Sequence, residues 1–107
     1  MSVVMTRSPH KGRELLDSYR EVVRTLSVSM RRYRAEPPEH FERYGFLGVL
    51  HRFRFLHETG TLTSTIIFLR LEHQLLHIHV GAEEAYADHV DRMVANILDT
   101  LKLRRRP

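Results

Sequence analysis

His77 and His79 are two residues apart, and of the residues in this sequence they have the spacing most similar to that of a metal site. Side chains two residues apart on a β-strand lie on the same side, so this pair would offer two zinc ligands if a neighbouring strand supplied a third. The metalloprotease pattern HExxH is absent, and the strand register given below places His51 on the opposite face. We therefore interpret His77 and His79 as structural residues of a half-exposed strand and expect no cofactor.

The other residue types that support catalysis occur without the neighbours they need. The chain has no cysteine, no serine within a G-x-S-x-G turn and no glycine-rich phosphate loop. Glu83 and Glu84 fit the negative charge expected at the start of a helix better than a pair of catalytic carboxylates. We therefore expect a protein that is not an enzyme and works by binding a partner.

Arginine supplies nearly all of the positive charge, and the net charge is +4. The segment Arg52-Phe53-Arg54-Phe55 interleaves basic and aromatic residues, as nucleic-acid surfaces do, but a strand sends the two types to opposite faces. Arg31, Arg32 and Arg34 lie near the end of a predicted helix and are the stronger candidate for a phosphate contact, but we interpret them as complementing the helix dipole. Specific nucleic-acid binding is therefore not expected. A small basic domain for nucleic acid or an acidic partner remains the alternative function.

The length of 107 residues predicts a single domain over 1–107, with a loop at 8–12 and a basic tail at 104–107. The longest apolar run, Ile66 to Leu69, is too short to span a bilayer, and the N-terminus lacks the layout of a signal peptide. We expect a cytoplasmic protein that is not inserted in a membrane.

Hydrophobic periodicity predicts an α+β fold, an antiparallel sheet of four to five strands with two amphipathic helices. The helices are predicted at about Arg13–Arg34 and Glu83–Leu103. The predicted strands are Ser2–Arg7, Phe46–His57, Thr61–Glu72 and Leu75–Val80, with a short additional strand around Phe41–Tyr44.

The hairpin register predicts which side chains share a face of this sheet. If His57 pairs with Thr61, and Leu71 with Leu76, one face is almost wholly apolar and forms the core. The second face mixes apolar and basic side chains, which is too apolar for a face in water. Two interpretations remain open at this stage: a helix of the same chain covers that face, or a partner does. A slip of one residue at either turn would exchange the faces.

Three segments together resemble the DcrB-related proteins, which share the PsbP-like fold. They are SVVMTRSPHKGRELLDSYREVV, YGFLGVLHRFRF and LLHIHVGAEEAYADHVDRMVANILDTLKL, and they span about Ser2 to Leu103. Within that family the chain is most similar to the Eag chaperones of type VI secretion, dimeric adaptors that hold apolar segments of an effector before export. The resemblance implies a chaperone or adaptor without catalytic residues or cofactors. Family members begin with additional strands that are missing before Ser2.

The mixed face is our predicted partner-binding surface, the counterpart of the cupped sheet face that the resemblance implies. Its apolar centre is predicted to consist of Leu50, Leu62, Ile66, Phe68 and Leu75. Arg52, Arg54 and His77 would rim it and favour a slightly acidic partner. The missing N-terminal strands would leave one sheet edge open, so we expect a homodimer that binds a protein partner through an apolar segment.

Overall fold

The computed structural model of the chain describes residues 2–9, 15–71 and 74–104. Within them the chain forms six strands and two helices. Their bounds are β1 Ser2–Pro9, α1 Leu15–Ser29, β2 Arg31–Ala35, β3 Glu39–Arg43, β4 Phe46–His57, β5 Gly60–Arg70, β6 Gln74–Glu83 and α2 Ala87–Asp99. Short 3-10 turns flank α2 at Glu84–Tyr86 and Thr100–Arg104.

All six strands belong to one antiparallel sheet, which confirms the predicted α+β class. The strand order is β1-β6-β5-β4-β2, and β3 pairs with the first half of β4 while β2 pairs with the second half. The sheet therefore has one strand more than the four to five predicted. The additional strand is β2, which replaces what the sequence predicted as the last turns of the first helix.

The first helix ends at Ser29 and not at the predicted Arg34. Ser27 and Ser29 bond their hydroxyls to backbone carbonyls one turn back, an arrangement that competes with the regular helix. Strand β2 begins at Arg31, and Arg32 takes a positive φ of 50° where the pairing of β2 with β4 shifts in register between Arg31 and Arg34. There the backbone gains sheet pairing with β4 that an extended helix would forgo.

The tight turns of the sheet differ from the predicted register. Tyr44 and Gly45 both have positive φ, the two-residue turn that matches the twist of a hairpin, and they join β3 to β4. Between β4 and β5, His57 pairs with Gly60 and not with the predicted Thr61, so the loop is one residue shorter. Leu69, rather than Leu71, pairs with Leu76 in the next hairpin.

One helix covers each face of the sheet. The cluster under α2 contains the buried residues Leu50, Ile67, Leu69, Leu76, Ile78, Val80, Ala82, Val90, Val94, Leu98 and Leu101. The cluster under α1 contains the buried residues Val49, Phe53, Ile66 and Phe68, against which the half-buried stripe of α1 packs. Both predicted helical stripes therefore bury against the sheet, on opposite sides of it.

The last strand ends later than predicted, and the regular part of the last helix is shorter, at Ala87–Asp99 and not at about Glu83–Leu103. Strand β6 continues past Val80 to Glu83, because residues 81–83 still pair with Leu62, Thr63 and Ser64 of β5. Regular α2 therefore starts only at Ala87.

The predicted loop at 8–12 begins inside β1, and its remainder lies outside the described residues, as do residues 105–107 of the predicted tail. No helix in the described ranges is long and apolar enough to cross a membrane.

Candidate partner-binding surface

The eight residues predicted to bind a partner lie on two different faces of the sheet. The shorter loop between β4 and β5 shifts their pairing by one residue, which exchanges the faces of one strand relative to the other. Leu50, Arg52 and Arg54 are on the α2 side. The others are on the α1 side, namely Leu62, Ile66, Phe68, Leu75 and His77.

The apolar members of that set are also covered by the chain's own helices. Ile66 and Phe68 are 0% exposed beneath α1, and Leu50 is buried in the cluster under α2. Leu75 is buried as well, and Leu62 is partly buried. The prediction that these residues form one exposed surface is therefore wrong, and of the two interpretations of the mixed face the covering helix is the one observed.

A row of polar groups lies between α1 and the sheet. Ser18, the buried residue of α1, lies with its Oγ 2.8 Å from Nε2 of His77. The hydroxyl of Tyr33 is hydrogen-bonded to Nε2 of His51. The Ser18–His77 bond joins α1 to β6 and fixes the position of the helix on the sheet more closely than apolar packing alone would. The Tyr33–His51 bond joins β2 to β4 within the sheet.

Burial disfavours the charged form of the histidines in this row. Desolvation lowers the pKa of His51, and it also lowers the pKa of His77, where nearby His79 adds to the effect. Burial lowers the pKa of His79 too. The buried Nδ1 of His51 has no hydrogen-bond partner among the described residues. The Ser18–His77 bond therefore holds α1 on the sheet in surroundings that disfavour a charged imidazole.

The described residues contain no group of three or more His, Asp or Glu side chains that could hold a metal ion. His77 and His79 share a face of β6, as their spacing predicts. On β5, Phe68 lies opposite His77 and Ile66 lies opposite His79. Their neighbours on that strand are thus apolar, and His77 instead bonds to Ser18. That zinc does not bind tightly here stays a prediction.

Strand β1 carries the exposed apolar surface that the sequence interpretation did not single out. Val3, Val4 and Met5 are 48%, 55% and 52% exposed. Val3 and Met5 pair with Val80 and Ile78 of the α2-side cluster, so they lie on the α2 side, while Val4 lies on the α1 side. Three successive apolar residues in a strand mean that both faces are apolar, and that signal was available in the sequence.

β1 is also an edge of the sheet. It pairs with β6 on one side, and no strand of the described residues pairs with its other side. The helices pack on the centre of the sheet, α2 on β5 and β6 and α1 on β5. The apolar residues of β1 therefore lie beyond both helices. We call these three side chains, Val3, Val4 and Met5, the β1 apolar edge.

The two arginines predicted to rim the site are paired with acidic side chains on the α2 side. Arg52 Nη1 lies 2.7 Å from Glu39 Oε2, and Arg54 Nη1 lies 3.1 Å from Glu84 Oε1. Both pairs are at the end of the sheet formed by β2 and β4, far in strand order from β1. They therefore do not rim the β1 apolar edge.

No family model and no curated protein matches this chain. Among solved structures, the chain is similar to the crystal structure of PA94 from Pseudomonas aeruginosa, a protein of unknown function described as a putative regulator. The TM-score is 0.77 at 14% sequence identity, over 92% of this chain and 69% of that one. At that identity the similarity establishes the class of fold: an antiparallel α+β sheet with helices packed on it.

Proposed function

We propose that this protein is a non-catalytic adaptor, or chaperone, that holds an apolar segment of a protein partner. The observation that carries the proposal is the β1 apolar edge, three half-exposed apolar side chains on a strand whose outer side is unpaired in the described chain. Monomeric proteins rarely leave such an edge uncovered, because it pairs with other chains. The resemblance to the Eag chaperones supports a partner destined for type VI secretion, met in the cytoplasm.

The first step of the proposal is a homodimer in which two β1 strands pair antiparallel. With a two-fold axis perpendicular to the sheet, the α2 sides of the two copies form one face of the joined sheet and the α1 sides form the other. Each β1 residue therefore pairs with a residue from the same side of the other copy. Centred on Val4, the axis places Val4 against Val4 and Val3 against Met5 of the other copy. An axis centred on Val3 would pair Val4 with Ser2, and one centred on Met5 would pair Val4 with Thr6. Only the axis through Val4 pairs all three apolar residues with apolar residues.

The second step is a groove on the α2 side of that dimer. Its floor would be Val3 and Met5 of both copies. Because α2 packs on β5 and β6, about four strand spacings, roughly 19 Å, would separate the two α2 helices. Packed helices lie about 8–10 Å apart, so the space between the α2 helices takes one additional helix. An apolar helical segment of a partner has the size and chemistry that this groove would accept.

A single cysteine tests the dimer and its register. The chain has no cysteine of its own, so Val4→Cys introduces the sole thiol. Directly opposed residues of antiparallel strands have Cα atoms about 4.5–5.5 Å apart, within the range for a disulfide. We expect mild oxidation to convert this variant to a disulfide-linked dimer on a non-reducing gel. Val28→Cys, at the 84% exposed Val28 of α1, is the control and should remain largely monomeric. Equal cross-linking of both variants, or none at position 4, would contradict the register.

Suppression of aggregation tests the binding of an apolar segment. The probe is a synthetic helix of leucine and alanine, diluted from organic solvent, whose aggregation is followed by light scattering. We expect the unmodified protein to suppress the scattering and Val3→Lys to lose most of that effect. Val28→Lys should retain it, because it adds the same charge to an exposed valine away from the edge. The proposal fails if both lysine variants behave alike or if the unmodified protein leaves the probe to aggregate.

A further inference from the structure

The α2 side of the sheet changes from apolar to polar along its strands. On β4 the residues of this face run from Leu50 to Arg52 and Arg54, and the partners of the two arginines on β5 are Thr65 and Thr63. Arg34 of β2 stands directly opposite Arg54. Three guanidinium groups and a row of hydroxyls are thus placed side by side on three adjacent strands.

This polar part of the face forms a groove. Arg34, Arg52, Arg54, Thr63 and Thr65 line a concavity of about 330 Å³, together with Ala87 at the start of α2. A second concavity of about 480 Å³ shares Arg34 and Arg54 with it and includes Thr61. α2 begins beside this end of the sheet and leaves Arg34 and Arg54 exposed and Thr61 and Thr63 partly exposed, whereas Thr65 is buried. We call the two concavities together the arginine groove.

Two of the three arginines already hold carboxylates of the same chain. Arg52 bonds Glu39 at 2.7 Å, and Arg54 pairs with Glu84 at 3.1 Å. In the second pair both side chains are at least half exposed, so the pair is weak and exchangeable. Arg34 is exposed and has no carboxylate partner in the described ranges. The groove therefore has one vacant guanidinium next to a second whose carboxylate can be replaced.

We propose that the arginine groove binds an acidic peptide segment, with side-chain carboxylates received by Arg34 and Arg54 and hydrogen-bonded by the partly exposed Thr61 and Thr63. The planar guanidinium offers two parallel donors that match a carboxylate, and a pair of them selects closely spaced acidic residues. This surface lies at the opposite end of the strand order from the β1 apolar edge. It depends on charge alone and stands whether or not that edge binds an apolar segment.

The composition of the groove favours a peptide over a nucleic acid. Glu36 and Asp91 line the same concavity and would repel the backbone phosphates of a nucleic acid. Base recognition on single strands needs exposed aromatic rings for stacking. Phe53, the aromatic residue of the first concavity, is 3% exposed and its side chain belongs to the core under α1. Tyr33 and Phe55 of the second concavity are partly buried and pack against the same core. The carboxylates of a peptide are carried on flexible side chains that can turn away from these two acidic residues, whereas the charges of a nucleic acid are fixed in its backbone.

Fluorescence anisotropy with a labelled peptide of six glutamates tests the proposal, with hexaglutamine as the uncharged control probe. We expect the full chain to bind hexaglutamate at low salt and Arg34→Gln/Arg54→Gln to weaken binding at least tenfold. Arg24→Gln/Arg20→Gln, which removes two exposed arginines from α1, should change the affinity less than twofold. The unfolding midpoints of both double variants should stay near that of the unmodified protein, because all four side chains are exposed.

Three results would overturn the proposal. The first is equal weakening by the two double variants, which would mean that the peptide follows net charge and not this groove. The second is no binding of hexaglutamate at millimolar concentration. The third is tighter binding of an oligothymidine of equal charge that is also lost in Arg34→Gln/Arg54→Gln, which would make the groove a nucleic-acid site.

Discussion

At the scale of single residues, the interface between α1 and the sheet depends on imidazoles that must stay neutral. His51 is almost fully buried, and His77 and His79 are partly buried on the same face. Ser18 and Tyr33 are bonded to two of these rings, and no carboxylate among the described residues is bonded to them. Charge on any of the three would therefore be poorly compensated, because neither a hydroxyl nor the apolar neighbours supply a negative charge.

This arrangement predicts that stability falls in mild acid. The pKa of each of the three histidines lies below its ordinary value of 6.5 in the folded protein, chiefly through burial. Below about pH 6.5 the unfolded chain binds protons that the folded protein does not, so stability is complete above that pH and is lost as the pH falls through the folded values. Each such proton costs up to about 1.4 kcal/mol per pH unit.

Urea unfolding at pH values between 7.5 and 5 measures this dependence. His51→Gln should reduce the slope of unfolding free energy against pH, because one of the three titrating groups is removed. His57→Gln is the control, since His57 is exposed at the end of β4 and should leave the slope unchanged. A flat profile for the unmodified protein across this range would contradict the role given to the buried imidazoles.

At the scale of elements, α1 and α2 each close one face of the sheet, which makes Phe68 a core residue and not a contact for a partner. Phe68→Asp would place a carboxylate at a site that is 0% exposed, so we expect destabilisation of more than about 4 kcal/mol or loss of soluble protein. Leu47 lies on β4, on the same face of the sheet as Phe68, but its side chain is 47% exposed. Leu47→Asp should therefore be tolerated. Thermal unfolding distinguishes the two, and a normal melting temperature for Phe68→Asp would mean that α1 does not cover this face.

The sequence predicted the elements better than their pairing. The stripes of both helices, the bounds of β4 and the antiparallel class followed from periodicity, because burial on one side imposes it. The register did not, because it depends on whether Gly60 belongs to the loop or to the strand, and the sequence pattern alone fits both; in the structure Gly60 pairs with His57. That one residue moved Arg52 and Arg54 to the face opposite Phe68 and divided the predicted site.

The end of the first helix shows a different limit of prediction. The apolar spacing that gives α1 its stripe continues through Met30 to Tyr33, so periodicity alone extends the helix. Tyr33 does face the same core, but from β2, where its hydroxyl reaches His51. The gain from pairing β2 with β4 is a tertiary effect that no local pattern contains.

At the scale of the whole molecule, the central claim is that the β1 apolar edge is where this protein receives a partner. Both helices are engaged with β5, and α2 also with β6, which leaves β1 uncovered at the end of the sheet. Pairing of two copies there would convert a small exposed edge into the floor of a groove between two α2 helices. The arginine groove, at the other end of the sheet, would bind acidic residues of a peptide independently of the β1 apolar edge.

Photo-cross-linking from β1 tests this claim most directly. A benzophenone attached to Met5→Cys, the sole thiol of that variant, should cross-link to the leucine and alanine helix, and mass spectrometry should locate the link at residue 5. The same label on Val28→Cys should yield little product, although Val28 is more exposed than Met5. Equal yields from both positions, or product from position 28 alone, would contradict the account.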